Sequence, residues 1–175
     1  MMKACFFAVC AIALTHPVAA GATAPARTPW QTLEALQGSW RLPAPRTDGE
    51  RAFRISYRPI SKGSALVETF GNPAGSVTET IYHRDGVKIM ATHYCAQGNQ
   101  PRLVLEPAAA RDALSFRFLD VTNLAGKDAS HLIRIDFRLI GPNRLERRET
   151  YAEEGSTEES ILVLEREAEG LDRIK

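Results

Sequence analysis

The sequence predicts an all-β fold: a single antiparallel up-and-down barrel of about ten strands, preceded by a short N-terminal helix. Three observations predict it. Apolar and polar residues alternate with period two along most of the chain after residue 38. Turn signals rich in Gly, Asn, Asp and Pro separate these runs at short intervals. No helix-period stretch beyond the N-terminal one is long enough to act as a crossover between parallel strands. Strands this short and this numerous would expose two edges as an open sheet, and closure removes both. A two-sheet sandwich is the alternative.

At the N-terminus, Lys3 precedes an uncharged apolar run over residues 4–14. Small residues then stand at the −3 and −1 positions through Val18/Ala20 or Ala20/Ala22. This order predicts a cleavable signal peptide over residues 1–22. The run falls well short of the about 20 apolar residues a membrane anchor needs. The expectation is therefore a periplasmic or secreted protein with no stable membrane anchor. Cleavage removes Lys3, so Lys+Arg falls from 22 to 21 against 21 Asp+Glu, and the mature chain is formally neutral. It lacks the net basic field of a nucleic-acid binder, so no nucleic acid is expected as partner. Cys5 and Cys10 leave too, and Cys95 alone cannot form an internal disulfide. The predicted organisation is a lead segment with a short helix over 23–37 and one barrel domain over 38–168.

Thr28 reads as a helix N-cap, with Pro29 at the first helical position and Gln31 completing a capping box. Trp30, Leu33 and Leu36 recur on one face, and Gly38 ends the turn. The strands follow near 39–42, 51–59, 64–70, 76–84, 87–95, 102–106, 112–120, 131–140, 144–152 and 157–166. Ile133, Ile135, Phe137 and Leu139 alternate with Arg134, Asp136 and Arg138 to give the cleanest of them. A two-residue turn at Glu154-Gly155 sets Tyr151 opposite Glu158, Glu149 opposite Ser160 and Arg147 opposite Leu162. A three-residue loop at Gly141-Pro142-Asn143 sets Phe137 opposite Arg147 and Leu139 opposite Leu145. Leu145, Arg147, Glu149, Tyr151, Leu162 and Leu164 then share the inward face of the 133–139 stripe. In the earlier strands a turn at Asp85-Gly86 sets Ile81 opposite Met90. The face carrying Leu66, Phe70, Val77, Ile81, Met90 and Tyr94 is the more apolar and is expected inward. A one-residue slip would instead bring in Tyr82, Ile89, Ala91, His93 and Cys95.

Leu36-Gln37-Gly38-Ser39-Trp40, a short turn and then Gly-x-Trp entering the first strand, resembles the opening of lipocalins and other calycin barrels. Arg166 stands where those barrels place a basic residue over that tryptophan, so Trp40 and Arg166 are expected to have a structural role. Tyr82-His83-Arg84-Asp85-Gly86, Thr92-His93-Tyr94-Cys95 and Gly98-Asn99-Gln100-Pro101-Arg102 resemble an uncharacterised group of bacterial lipocalin-like barrels. The resemblance covers most of the mature chain and implies a calycin-like barrel without fixing an activity. Some related barrels hold haem through a histidine near the C-terminal strands, for which the candidate here is His131.

The candidate site is a partly polar lumen. Charged side chains inside a barrel are costly unless paired or solvated, so Arg147, Glu149 and Tyr151 beside Phe137 suggest a cavity for an amphipathic ligand. Arg147 would anchor its carboxylate or carbonyl. Glu68 and Glu79 carry the same reading. Thr92, His93 and Tyr94 add polar groups to a neighbouring strand, and Asn99, Gln100 and Arg102 could read a ligand's polar end at the barrel mouth. No catalytic residue and no metal site is assigned, and no cofactor is expected unless it is haem. The expected function is that of an exported, non-catalytic barrel holding a small amphipathic or hydrophobic molecule. The alternatives are an enzyme using lumen acid–base groups such as Glu149, Glu68 or His93, a haem-binding barrel, and a barrel filled by its own side chains.

Overall fold

A computed structural model describes residues 27–72, 75, 77–107 and 112–168. The predicted signal peptide lies outside the described residues. Helix α1 (Pro29–Glu34) leads into β1 (Gly38–Arg41), α2 (Asp48–Ala52) and β2 (Arg54–Ile60), and a 3₁₀ turn at Ser61–Gly63 opens β3 (Ala65–Gly71). There follow β4 (Val77–Asp85), β5 (Lys88–Tyr94), β6 (Gln100–Leu105), β7 (Ala113–Thr122), β8 (His131–Leu139), β9 (Arg144–Glu153) and β10 (Ser156–Arg166). Every strand pairs antiparallel with its sequence neighbours, and β10 returns to β1 to close the barrel. The up-and-down topology puts the hairpins after β2, β4, β6 and β8 at one end, with α1, and the β3–β4, β5–β6, β7–β8 and β9–β10 connections at the other.

The Thr28 capping box forms as the sequence predicts: Thr28 accepts from the Gln31 amide, and Gln31 accepts from the Thr28 amide. Two turns of helix would not persist alone in water. α1 is held by Trp30, Leu33 and Leu36, all buried against the base of the barrel, with Arg84 stacked over the Trp30 ring at 4.3 Å. Helix α2 departs from the expectation of a loop running into strand. It is a second capping box, Thr47 with Glu50. Its sequence lacks any apolar stripe, so periodicity does not mark it.

The C-terminal register is the predicted one. Tyr151 faces Glu158, Glu149 faces Ser160, Arg147 faces Leu162 and Phe137 faces Arg147. A bulge between Leu132 and Arg134 changes one detail: Leu132, not Ile133, takes the buried inward position. For β4 and β5 the facing is the reverse of the expectation. Thr80, Tyr82, Ile89, Ala91 and His93 are buried, while Val77 and Tyr94 are exposed and Ile81 and Thr92 are half-buried on the outer face. The turn is Gly86-Val87, since Asp85 pairs with Lys88, so Ile81 faces Thr92 rather than Met90. That shift preserves which residues share a face. Counting apolar side chains selects the wrong face here, because the inward one carries polar groups that are satisfied inside.

The outer face of β7–β10 is laced with ion pairs. Asp136 lies between Arg134 and Arg117, Arg117 also reaches Glu106, and Arg138–Glu146 and Arg148–Glu159 bridge neighbouring strands. Burial opposes ionisation of Asp136, but bonds from Ser115 and Arg117 outweigh it and hold the carboxyl below its ordinary range.

Candidate functional site

The lumen divides into two layers. Toward the α1 end it is filled by aromatic side chains. Trp40, Tyr82, Phe116 and Phe137 are at most 2% exposed. Tyr82 lies 5.3 Å from Phe116 and 6.0 Å from Phe137, ring to ring, and Phe116 lies 6.3 Å from Phe137. Such edge-on contacts pack efficiently and add to the burial of each ring. Trp40 sends its indole N–H to the Leu36 carbonyl at 2.8 Å, so the plug leaves no indole donor unpaired.

Above the plug sits a charged layer. Arg147 projects from β9 with its Cζ 5.8 Å from the centre of Phe137 below and 4.8 Å from that of Phe70 on the other side. Its Nη2 donates to Glu68 Oε1 at 2.6 Å and to Glu149 Oε1 at 2.8 Å, and its Nε reaches Glu68 Oε2 at 3.4 Å. Tyr82 Oη donates to the same Glu68 Oε2 at 2.9 Å. Arg147 and Glu68 are 1% exposed and Glu149 is 9% exposed by side chain. Glu68 thus accepts from three donors, two of them on one guanidinium, in a charge-assisted network. For Glu149, burial works against the charge, but the Arg147 guanidinium prevails and holds the carboxyl below its ordinary range. The two carboxylates in turn hold Arg147 firmly protonated despite its burial.

Tyr57, from β2, places its hydroxyl beside Glu68 and Arg147 without a hydrogen bond of good geometry, and that oxygen is fully buried. Burial and the Glu68 charge keep the phenols of Tyr57 and Tyr82 protonated. A neighbouring network runs from Thr80 Oγ1 to His93 Nδ1 at 2.9 Å, and from His93 Nε2 to Tyr151 Oη at 3.3 Å. Burial lowers the His93 pKa and favours the neutral ring, although Glu149 and Glu68 pull the other way. Burial, and then Glu149, raise the Tyr151 phenol far above its ordinary value.

Exposure along the inward faces marks the open end. On β10, Leu164 is buried, Leu162 is half-buried, and Ser160 and Glu158 are exposed. On β9 the same gradient runs from Leu145 through Arg147 and Glu149 to half-buried Tyr151 and exposed Glu153. Phe70, Thr78 and Leu162 ring this mouth as half-buried residues. The charged layer thus lies between the aromatic plug and the more exposed end of the barrel, away from α1.

Of the residues singled out from sequence, Glu68, His93, Arg147, Glu149 and Tyr151 converge here. Thr92 and Tyr94 do not, because they lie on the outer face with Tyr94 48% exposed. Glu79 also faces outward, accepting from Thr69 Oγ1 at 3.4 Å. Arg102 is exposed and donates through Nε to Asp120 Oδ1 at 2.6 Å. Gln100 and Asn99 tie loops together: Gln100 joins the Gly98 carbonyl and Thr122, and Asn99 donates to the Ser130 carbonyl at 2.8 Å. His131 sits on the rim, with Nδ1 on the Ala129 carbonyl and its ring against Phe118. His93, the histidine inside, has both ring nitrogens engaged. Tyr57, Thr80 and Tyr82 join the site without having been expected there. Tyr57 is legible as an inward residue because Phe53, Ile55 and Tyr57 alternate with Arg54, Ser56 and Arg58 in the sequence, and Tyr82 belongs to the alternative facing of its strand.

Arg166 and Trp40 meet as the calycin resemblance implies, with Cζ 4.2 Å from the ring centre. The ten-stranded antiparallel barrel is compatible with a calycin-like fold. No protein-family model matches the chain, and no curated protein matches it, so the likeness is one of architecture.

Proposed function

We propose that this chain is a non-catalytic binding barrel, acting in the periplasm or outside the cell, that holds a small amphipathic or hydrophobic molecule. One observation carries the reading: a polar, partly solvent-reaching layer of Arg147, Glu149, Tyr151 and His93 sits inside a barrel whose neighbouring lining is apolar. Ligand sites commonly combine apolar walls with a few convergent polar groups. The aromatic plug occupies the α1 half, so a guest would enter from the open end and meet the polar floor with its head. Its apolar body would lie toward Phe70, Leu132 and Leu162. The filled-barrel alternative thus describes the lower half of the lumen.

The proposed role is tested with N-phenyl-1-naphthylamine, a neutral apolar fluorophore. Saturable one-to-one binding, blocked by Leu162→Trp at the mouth, is the expected result. Absence of saturable binding, together with bare polypeptide in native mass spectrometry of protein from its own compartment, would overturn it. Export is checked by the intact mass of the same material, which should begin at Gly21 or Thr23.

An acid–base enzyme is the second reading, favoured by the adjacency of His93, Tyr151 and Glu149. Both carboxylates are engaged with Arg147. His93 is therefore the group most able to exchange a proton near neutrality.

A further inference from the structure

The charged layer is not balanced. Arg147 supplies one positive charge to Glu68 and Glu149, and all three side chains are at most 9% exposed. From the aromatic plug to the mouth, Arg147 is the one Lys or Arg on the inward strand faces among the described residues, while Glu158 adds a further carboxylate at the lip. Surplus buried charge is costly unless a counter-charge comes close.

Two atoms are left over in the same place. Among the described residues only Oε1 of Glu149 takes a hydrogen bond, and none reaches Oε2. The Tyr57 hydroxyl, 2% exposed by residue, lies against Glu68 and Arg147 without a hydrogen bond of good geometry among the described residues. A buried hydroxyl without a well-directed partner recovers little of the cost of its desolvation.

This changes what Arg147 can do. A guanidinium already holding two carboxylates is a poor anchor for a third, and an anionic head would meet net repulsion. We propose that the upper lumen takes an organic cation: a protonated amine on an apolar body, its ammonium balancing the surplus negative charge of Glu68 and Glu149. Tyr151, half-buried toward the mouth, offers aromatic surface to the same cation. The inference rests on the binding reading above and names the ligand class of that site.

The test compares n-octylamine, n-octanol and octanoate on the intact mature protein at neutral pH by calorimetry. These share a body and differ in head charge. Octylamine is expected to bind at least about tenfold tighter than octanoate, with octanol between them. Glu149→Gln should remove most of that preference, bringing octylamine and octanoate to similar affinity. Tyr57→Phe, which leaves the ion pairs in place, should narrow the same preference if Glu149→Gln fails to fold. Octanoate binding as tightly as octylamine overturns the cation inference and leaves the binding role standing. The cation inference falls in the same way if N-phenyl-1-naphthylamine binds and none of the three does. If that fluorophore fails as well, both readings fall together.

Discussion

Arg166 and Trp40 are direct register partners across the seam where β10 meets β1, and the guanidinium stacks 4.2 Å above the indole. The seam is narrow, since β1 has four residues and shares two register pairs with β10. Arg166 widens it by donating to the carbonyls of Ala35 at 2.7 Å, Pro142 at 3.0 Å and Gln37. One side chain thereby ties the α1 turn, the β8–β9 loop and the closing strands. Arg166→Ala is expected to cost about 2–3 kcal/mol, from charge-assisted bonds and the lost stacking. Arg166→Lys should recover less than half, because an ammonium lacks the planar fork. Urea unfolding measures both. A loss under about 0.5 kcal/mol, within the range of ordinary surface substitutions, would mean that the backbone ladder alone closes the barrel.

Gly38 prepares that contact. Its φ is +110°, and a Cβ there would come within 3.2 Å of Arg166 Nη1. Gly38→Ala therefore combines backbone strain with displacement of the guanidinium. Gly63, at φ +83° with nothing within 4 Å of its Cβ position, provides the comparison, since substitution there brings strain alone. Thermal melts should show Gly38→Ala to be the more damaging, by about 1 kcal/mol or more beyond the strain common to both. Equal losses would show that Arg166 moves aside freely.

What was legible in the sequence follows the same physics. Trp40 and Arg166 could be paired because a short motif and strand order fix their places. Arg147 and Glu149 could be set inward because short turns at both ends of β9 leave little freedom of register. The facing of β4 and β5 could not be read by counting apolar side chains. Tyr82 and His93 are inward for reasons that lie on other strands: Glu68 accepts from the Tyr82 hydroxyl, and Tyr151 meets the His93 ring. Long-range polar satisfaction leaves no mark on local periodicity. The Asn99 and Gln100 side chains illustrate the converse, because amides at a barrel mouth look like ligand contacts until their partners prove to be the Ser130 carbonyl and the Thr122 hydroxyl.

Removing Arg147 should be among the most destabilising single changes in the barrel. Arg147→Met would leave Glu68 and Glu149 buried together without their cation, at an expected cost of about 3–5 kcal/mol. Adding Glu68→Gln to that variant removes one of the stranded charges and should restore part of the loss, so the double-mutant cycle will show strong coupling. Urea unfolding near pH 7.5 gives all the corners. Arg147→Met losing under about 1 kcal/mol would place it with the average point mutant, contradicting a buried, ionised triad.

The pH dependence separates His93 from the carboxylates. Burial lowers the His93 pKa below its ordinary 6.5, so the unfolded chain takes up that proton first as pH falls. Its contribution to stability is therefore complete above about 6.5 and declines as pH drops from there toward the folded value. Glu149 and Asp136 are lowered from 4.5 and 3.8. Their contributions hold above those ordinary values and are lost as pH falls through the lower folded ones. Stability should thus decline in two stages on acidification, each group limited to about 1.4 kcal/mol per pH unit. His93→Gln should flatten the stretch between pH 7.5 and 5.5 while leaving the acid stage in place. Unfolding free energies at pH 7.5, 5.5 and 4 decide the matter. A barrel that gains stability between pH 7.5 and 5.5 through His93 would carry a charged imidazole inside. In that case His93, not an incoming amine, would balance Glu68 and Glu149.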